Sequence, residues 1–403
     1  MKIIIVNAVY MNKSTGRTYF ELYKYLSSLG HECKIIYGEK KENYKEGIYL
    51  GNYFDHKLHA FYSRITGKGG CYSKNSTRKL LKFLDIFKPD IVHLGNLHAN
   101  FINIPMLLEY LGEKNIPTTV TLHDCFFYTG GCVHYTVNKC FKWKKKCDKC
   151  DNFREQGSWL FDNTKYLFEV KNKYFKNIKK LGVIGVSKWI TEEARQSCIL
   201  KRAKITKNIY DWVDLDVFKP LSVKKEELCV DFSGKFIILG VASKWNPNKG
   251  LNKFIELSKI LSFEFIIILV GNIKRVDKLP ANIINIPEIT SVNKLAEYYN
   301  IADVFLQLSI EETFGKVVAE ALACGTPAIV YNSTASPELI DEGCGYSINI
   351  EDSVNIILQK IKLIKMQSKY FYSNNCRQKA INEFDKNKNC GQILKFWNDL
   401  KRE

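Results

Sequence analysis

Glu311-Glu312-Thr313-Phe314-Gly315-Lys316-Val317-Val318-Ala319-Glu320 is followed at once by an apolar run and then by Gly325-Thr326-Pro327. The stretch sets two carboxylates, Glu312 and Glu320, eight residues apart. Its order reads as a strand-end loop feeding a buried helix. Phe314 and Gly315 open that helix, Val317, Val318, Ala321 and Leu322 face the core, Gly325 closes it, and Pro327 forbids its continuation. Glu320 is then a carboxylate on a mostly apolar helix, and a charge so placed needs a partner. A nearby Lys or Arg would serve, and so would the vicinal hydroxyls of a ribose or hexose in a pocket that excludes water.

Outward from this stretch, apolar runs alternate with helical patterns in two series. The first runs through Ile3 to Tyr10, Tyr19 to Leu29, Cys33 to Tyr37, Asp90 to Leu94, Thr118 to Leu122 and Val183 to Val186. The second runs through Phe236 to Val241, Lys253 to Leu261, Phe265 to Val270, Ile283 to Ile286, Val304 to Leu308 and Ala328 to Val330. Such alternation predicts an α/β protein with parallel sheets covered on both faces, and two series predict two doubly wound, Rossmann-like domains facing a cleft. The expected boundaries are 1–210 for the first domain, 211–385 for the second, and 386–403 for a terminal helix that returns to brace the first.

At 403 residues and 46% apolar content the chain can fill two cores. No apolar run approaches the roughly 20 residues of a spanning helix, and Met1 to Asn7 is too short for a signal segment. A cytoplasmic protein is expected. The formal net charge of +18 favours some polyanion: phosphorylated substrates, an anionic membrane surface or nucleic acid. The lysines are dispersed and no aromatic-basic RNA-binding motif is present, so no nucleic acid partner is expected. The absence of G-x-G-x-x-G and Walker A sequences sets dehydrogenase and ATPase readings aside.

With Leu295-Ala296-Glu297-Tyr298-Tyr299 before it and Ser336-Pro337-Glu338 after it, the carboxylate pair resembles the E-x7-E region of the family 4 retaining glycosyltransferases. That resemblance implies the GT-B fold and covers the chain from its first strand to Glu338. It places Glu312 on the hydroxyls of a donor sugar and Glu320 on a nucleotide ribose, with Phe314 and Gly315 at a helix N-terminus that suits a diphosphate. Lys249-Gly250 resembles the family's Lys-Gly element, so Lys249 would stabilise charge on the leaving phosphate. Lys244 is the nearest candidate for a second cation, although the family more often has an Arg there. In the first half, Ser14-Thr15-Gly16-Arg17 follows the first strand; Gly16 fits a loop that approaches donor phosphate and Arg17 the acceptor side, while Ser14 or Thr15 also suits a helix N-cap. His93, His98, His123 and Asp124 end strands, where open α/β sheets place ligands. Relatives put the counterpart of His123 by the transferred sugar, and Asp124 with His98 on the acceptor side.

These features resemble a branch associated with capsule, O-antigen, lipopolysaccharide or exopolysaccharide assembly. The implied function is retaining hexosyl transfer from a nucleotide-sugar donor to a lipid-linked saccharide, with no cofactor required for catalysis, by an enzyme that docks on the inner face of the cell membrane. Two rivals are a GT-B nucleotide-sugar epimerase and a non-enzymatic protein that binds lipid surfaces or nucleic acid. A third possibility concerns Asp214-x-Asp216, a spacing that also suits a catalytic divalent metal, although it lies in the expected interdomain connection Ile209 to Pro220.

The chain has 13 cysteines, and five of them fall within 125–150. Without a signal segment they are expected to be reduced thiols. Cys132, Cys140, Cys147 and Cys150 end in a C-x2-C knuckle and are expected to hold a structural Zn²⁺, with His134 as a possible substitute ligand. The reasoning is that this lysine-rich insertion buries little apolar surface of its own and needs another source of order. Cys33, Cys71, Cys198, Cys229, Cys324, Cys344, Cys376 and Cys390 read as small apolar fillers.

Overall fold

Short runs rich in Ile and Val become strands covered on both faces, which is why they read as continuous rather than alternating apolar segments. A computed structural model describes residues 1–11, 13–39, 47–223, 234–274 and 278–403; Cys229 lies outside the described residues. By internal contacts the chain divides into two units, Met1–Ile209 with Cys390–Glu403, and Tyr210–Asn389.

The first unit holds a seven-stranded sheet in the order β3-β2-β1-β4-β5-β6-β7. Its strands are β1 Lys2–Asn7, β2 Glu32–Tyr37, β3 Gly47–Tyr49, β4 Ile91–Leu94, β5 Thr118–Leu122, β6 Leu181–Gly185 and β7 Ile205–Asn208. All six neighbouring pairs are parallel. The helix Lys386–Arg402 packs here through its C-terminal part: Trp397 Nε1 donates to Thr119 Oγ1 at 3.2 Å, and Lys401 Nζ pairs with Asp90 Oδ1 at 2.6 Å. Gly182 makes room for this helix, since a Cβ there would lie 2.7 Å from the Phe396 ring.

The second unit repeats the plan with six parallel strands in the order β10-β9-β8-β11-β12-β13. These are β8 Phe236–Trp245, β9 Phe265–Ile273, β10 Ile283–Ile286, β11 Val304–Gln307, β12 Ala328–Tyr331 and β13 Gly345–Ile348. In each sheet the order reverses once, between β1 and β4 and between β8 and β11. The carboxyl ends of the strands at such a reversal are the usual ligand position in open parallel sheets. No helix among the described residues is long and apolar enough to cross a membrane.

Candidate active site

In the second unit, the loop after β8 meets the loop after β11 at the reversal of strand order. Asn246 caps the first of these: its side chain accepts the Lys249 backbone N–H at 3.0 Å, fixing the single turn Pro247–Lys249. Gly250 follows with φ 79°, and a Cβ there would lie 2.4 Å from Leu308 O. Only glycine accommodates both that dihedral and that approach. The two loops are joined by Ile310 N–H, which donates to Asn248 O at 3.0 Å. So held, Lys249 Nζ lies 2.6 Å from Glu312 Oε1 in a part-buried ion pair.

Glu312 is fixed from its other side. Its backbone N–H donates to Thr334 Oγ1 at 2.9 Å, and its carbonyl accepts from Ala335 N–H at 3.2 Å. Gly315, with φ 97°, caps the helix Lys316–Ala323, which starts just after the two residues, Phe314 and Gly315, expected to open it. The helix N-terminus leaves its first amides without intrahelical acceptors, and Gln307 Nε2, buried at the end of β11, has no hydrogen-bond partner among the described residues. A Cβ on Gly315 would lie 3.3 Å from that nitrogen. Donors and a cation therefore gather where an anion is favoured.

Phe314 departs from its expected place in a donor site. Its ring is buried against Phe384 and Tyr210, at 5.5 Å and 6.0 Å between centroids, because the apolar ring gains more from the core than from the crevice. Glu320 is only 2% exposed, and its Oε2 accepts from the Tyr299 hydroxyl at 2.9 Å. A tyrosine hydroxyl thus meets this carboxylate at Oε2. Lys244 is not in the loop: it continues β8 beyond an irregularity, opposite Asn272, and stands exposed. The structure does not draw it into the Lys249–Glu312 pair. Asp214 is held by Lys386 at 2.8 Å and accepts the Asp216 backbone N–H at 3.1 Å. Burial raises the Asp214 pKa, but Lys386 and these hydrogen bonds outweigh it and the carboxyl ends below its ordinary value. Asp214 thus serves as a paired turn residue, which argues against the metal-binding reading of Asp214-x-Asp216.

In the first unit, Gly16 lies inside the first turn of the helix Lys13–Ser28, not in a loop, and Arg17 is half-buried beside it. The chain reaches that helix through Met11 and Lys13 at φ 56° and 58°, strained values for residues with side chains. Tyr19 of the same helix places its hydroxyl 3.0 Å from His123 Nε2. His98 Nδ1 lies 3.6 Å from Asp124 Oδ2, while Asp124 Oδ1 accepts Phe126 N–H at 2.9 Å. His93 is structural: it is fully buried, with Nδ1 2.7 Å from Thr119 Oγ1 and Nε2 3.1 Å from Thr121 Oγ1. Burial lowers its pKa to about 3, so the ring is neutral.

The cysteine-rich insertion corrects one premise. It does bury apolar surface: Tyr128, Tyr135 and Trp143 are all enclosed, with Trp143 4.9 Å from Tyr128 and 5.2 Å from Tyr135 between centroids. Cys132, Cys140, Cys147 and Cys150 are close enough to influence one another's charge, and burial first, then those neighbours, pushes the Cys132 thiol up to about 12. Gly130 N–H donates to Cys147 Sγ at 3.2 Å and Gln156 Nε2 to Cys150 Sγ at 3.3 Å. Lys171 is buried nearby, its pKa lowered to about 8 by burial, and its Nζ donates to Phe126 O. Among the described residues, however, no group of three or more His, Cys, Asp or Glu side chains is placed to hold a metal ion. His134 is exposed. Of the scattered cysteines, Cys33, Cys324, Cys344, Cys376 and Cys390 are buried as expected, whereas Cys71 and Cys198 are only partly so.

Asn246, Tyr299, Gln307 and Thr334 were not singled out by the sequence reading. The roles of Tyr299, Gln307 and Thr334 arise from strands and loops far away in the chain, a relation that local spacing does not encode, whereas Asn246 caps a turn three residues long, which its place before Pro247 signals.

Comparison with known proteins gives a matching picture. Residues 15–216 match the sequence model described as Glycosyltransferase Family 4, and residues 230–383 match that described as Glycosyl transferases group 1. A protein of Escherichia coli K12 assigned as colanic acid biosynthesis glycosyl transferase WcaC is 24% identical over 284 residues, 69% of this chain and 67% of that one. Among solved structures, sucrose-phosphate synthase of Thermosynechococcus elongatus superposes with a TM-score of 0.71 at 16% identity, covering 99% of this chain and 98% of the other. HepE of Anabaena, in complex with UDP and glucose, gives 0.66 at 15% identity over 99% and 100%. At such identities the structural likeness speaks for the fold.

Proposed function

This chain belongs to glycosyltransferase family 4 and is a glycosyltransferase of the GT-B fold, and we propose that it transfers a hexose, with retention, from a nucleotide sugar to a lipid-linked saccharide during assembly of a bacterial surface polysaccharide. The observation that carries this reading is the Lys249–Glu312 pair at 2.6 Å, at the reversal of strand order and beside the N-terminus of the helix Lys316–Ala323. The UDP and glucose bound by HepE support a nucleotide-sugar donor, and the polysaccharide assignment of WcaC supports the pathway class.

In the proposed reaction the acceptor hydroxyl oxygen bonds to the anomeric carbon on the face from which the diphosphate departs. The anomeric carbon–phosphate oxygen bond breaks, and the acceptor proton passes to the leaving phosphate. No protein base is then required, and catalysis rests on positioning and on positive charge where negative charge develops. Lys249 supplies that charge, Glu312 holds its ammonium in place and reaches the sugar hydroxyls, and Glu320 serves the ribose. Lys244 is a candidate second cation, and Gly315 offers the diphosphate a backbone approach. We assign His123 to the transferred sugar, and Asp124, His98 and Arg17 to the acceptor. The test is a thermal-shift screen against nucleotide sugars followed by product analysis. Stabilisation by a nucleotide sugar and a glycosylated product are expected; an epimerised nucleotide sugar as sole product would replace transfer.

We further propose a structural zinc ion at Cys132, Cys140, Cys147 and Cys150. The N–H···S hydrogen bonds at Cys147 and Cys150 support it, since such donors commonly steady metal-bound thiolates. Elemental analysis of protein purified under reducing conditions should find about one zinc per chain. A zinc-free, fully folded protein would leave the aromatic cluster as the sole organiser of this segment.

A further inference from the structure

The helix Tyr53–Thr66 is inside out. Its inward side is polar: His59 is buried with Nδ1 2.7 Å from Ser73 Oγ, Asp55 accepts from the Ser76 hydroxyl at 3.1 Å, and His56 Nε2 lies 2.8 Å from Leu50 O. Its outward side carries Tyr53, Phe54, Leu58, Phe61 and Tyr62, with Phe54 76% exposed. Positions three and four apart share a helix face, so these side chains form one stripe. The reverse arrangement is the rule for a helix that only covers a core. An apolar stripe turned to solvent marks a contact surface.

A second segment extends it. Trp159 N–H donates to Arg64 O at 2.5 Å and Asn163 Nδ2 to Thr66 O at 2.5 Å, setting Trp159, Leu160 and Phe161 beside the helix's end with Leu160 61% exposed. Cations are interleaved with the rings: Lys57 lies 5.2 Å from the Tyr53 centroid, Arg64 5.4 Å from Trp159 and Lys68 4.6 Å from Tyr166. The carboxylates on these segments are engaged locally, Asp55 with Ser76 and Asp162 with Thr164 and Cys150 N–H. Amphipathic rings, long basic side chains and aliphatic tips together are the chemistry of a bilayer interface, and the sign of the chain's +18 charge selects an anionic one.

We propose that the helix Tyr53–Thr66 and the loop Trp159–Phe161 form the surface on which the protein rests on an anionic lipid bilayer, with the rings at headgroup depth and Lys57, Arg64 and Lys68 against lipid phosphates. This deepens the lipid-linked acceptor reading above and rests on it for its purpose. Apolar insertion, and not the lysine-rich insertion alone, then sets the strength of docking.

The test is cosedimentation of the full chain with phosphatidylglycerol–phosphatidylethanolamine vesicles and with phosphatidylcholine vesicles, without donor or acceptor. Wild type should bind the anionic vesicles, and Phe54→Ser/Leu58→Ser/Leu160→Ser should lose about tenfold or more in partitioning, because each change removes an inserting side chain. Lys57→Glu/Lys68→Glu should weaken anionic binding as well. Should the triple variant misfold by circular dichroism, the single changes Phe54→Ser and Leu160→Ser, on separate segments, should each cost about threefold. Unchanged partitioning of the folded variants overturns the proposal. So does a wild-type dimer that the triple variant converts to monomer, which would assign the face to a second copy. Since binding is read without substrates, its failure is separable from failure of the transfer reaction.

Discussion

The two units share one sheet plan and carry opposite chemistry on it. In the second, the loops after β8 and β11 bring a charged pair together, Lys249 and Glu312 at 2.6 Å, and the unit contains no histidine. In the first, which holds all seven histidines, the strands β4 and β5 carry a neutral network of His93, Thr119 and Thr121, with Tyr19 against His123 nearby. Strand order decides where loops converge, and the residues on those loops decide what the place can do. A charged pair beside a helix N-terminus favours an anion, whereas the histidine and its two threonines are buried and satisfy one another.

If the contrast is functional, breaking the charged side should cost most. Lys249→Ala is expected to lower kcat by about 10²–10³-fold, the usual loss when one preorganised group at developing charge is removed, while thermal stability stays near wild type. Glu312→Gln keeps the ammonium but loosens it, and should cost less. Steady-state kinetics with a nucleotide-sugar donor reads both, and wild-type turnover in Lys249→Ala would remove this residue from the chemistry.

The next largest effect separates the two units by their glycines. Gly250 combines φ 79° with backbone 2.4 Å from a would-be Cβ, so Gly250→Ala should destabilise by on the order of 3 kcal/mol and disable transfer through the adjacent Lys249. At Gly16 the same change meets its nearest atom at 3.2 Å inside a helix, where alanine's propensity gain of about 1 kcal/mol offsets the tight contact. Denaturant midpoints of the two variants test this; equal losses would mean that left-handed geometry at Gly250 is not what holds Lys249.

These contrasts also mark what the sequence could tell. Strands such as Ile3 to Val6 and Ile267 to Val270 are legible because burial on both faces demands continuous apolar residues. The edge strands β3, β7 and β13 escaped notice, since a strand such as Ile205-Thr206-Lys207-Asn208 has one neighbour and little need of an apolar run. Glu312, Gly315 and Glu320 lie on one continuous segment, where spacing and resemblance single them out as candidates. Tyr299, Thr334 and Gln307 were not singled out, because sheet order and not chain order brings them there. Phe314 shows the converse: adjacency to the site in sequence did not keep its ring out of the core.

Acid should act on the neutral network. Burial lowers the His93 pKa from 6.5 to about 3, so the unfolded chain binds a proton that the folded one refuses. The stability this contributes is complete above pH 6.5 and is lost as pH falls from there toward 3. Between pH 7 and 5 that amounts to about 2 kcal/mol, at roughly 1.4 kcal/mol per pH unit. Other groups titrate too, Glu193 with the opposite sign because burial raises its pKa to about 7. The informative quantity is therefore a difference: His93→Gln should be less stable at pH 7, yet lose about 2 kcal/mol less than wild type on going to pH 5. Parallel pH dependence in urea titrations of both proteins would mean that His93 is protonated in the fold.

The smallest effect concerns the buried carboxylate, and it sharpens the comparison because Glu320, like His123 in the first unit, meets a tyrosine hydroxyl. Tyr299 donates to Glu320 Oε2 at 2.9 Å. Tyr299→Phe keeps the ring packed against Phe305 and Phe218 and removes only that donor. Losing one hydrogen bond to a charged group costs about 1.5–3 kcal/mol when the acceptor is left unsatisfied, and less when another donor takes its place. If a bound ribose offers its hydroxyls to Glu320, the loss should be partly repaired in the complex, so nucleotide affinity should change by about threefold or less while the free protein is destabilised by about 1 kcal/mol. Glu320→Gln, which weakens acceptance from Tyr299 and ribose alike, should reduce affinity further. Calorimetric titration with nucleoside diphosphates, set beside denaturation of the free variants, distinguishes these outcomes. Destabilisation by both variants with wild-type nucleotide affinity would make Glu320 a structural carboxylate and leave Lys249–Glu312 as the charged half of the contrast.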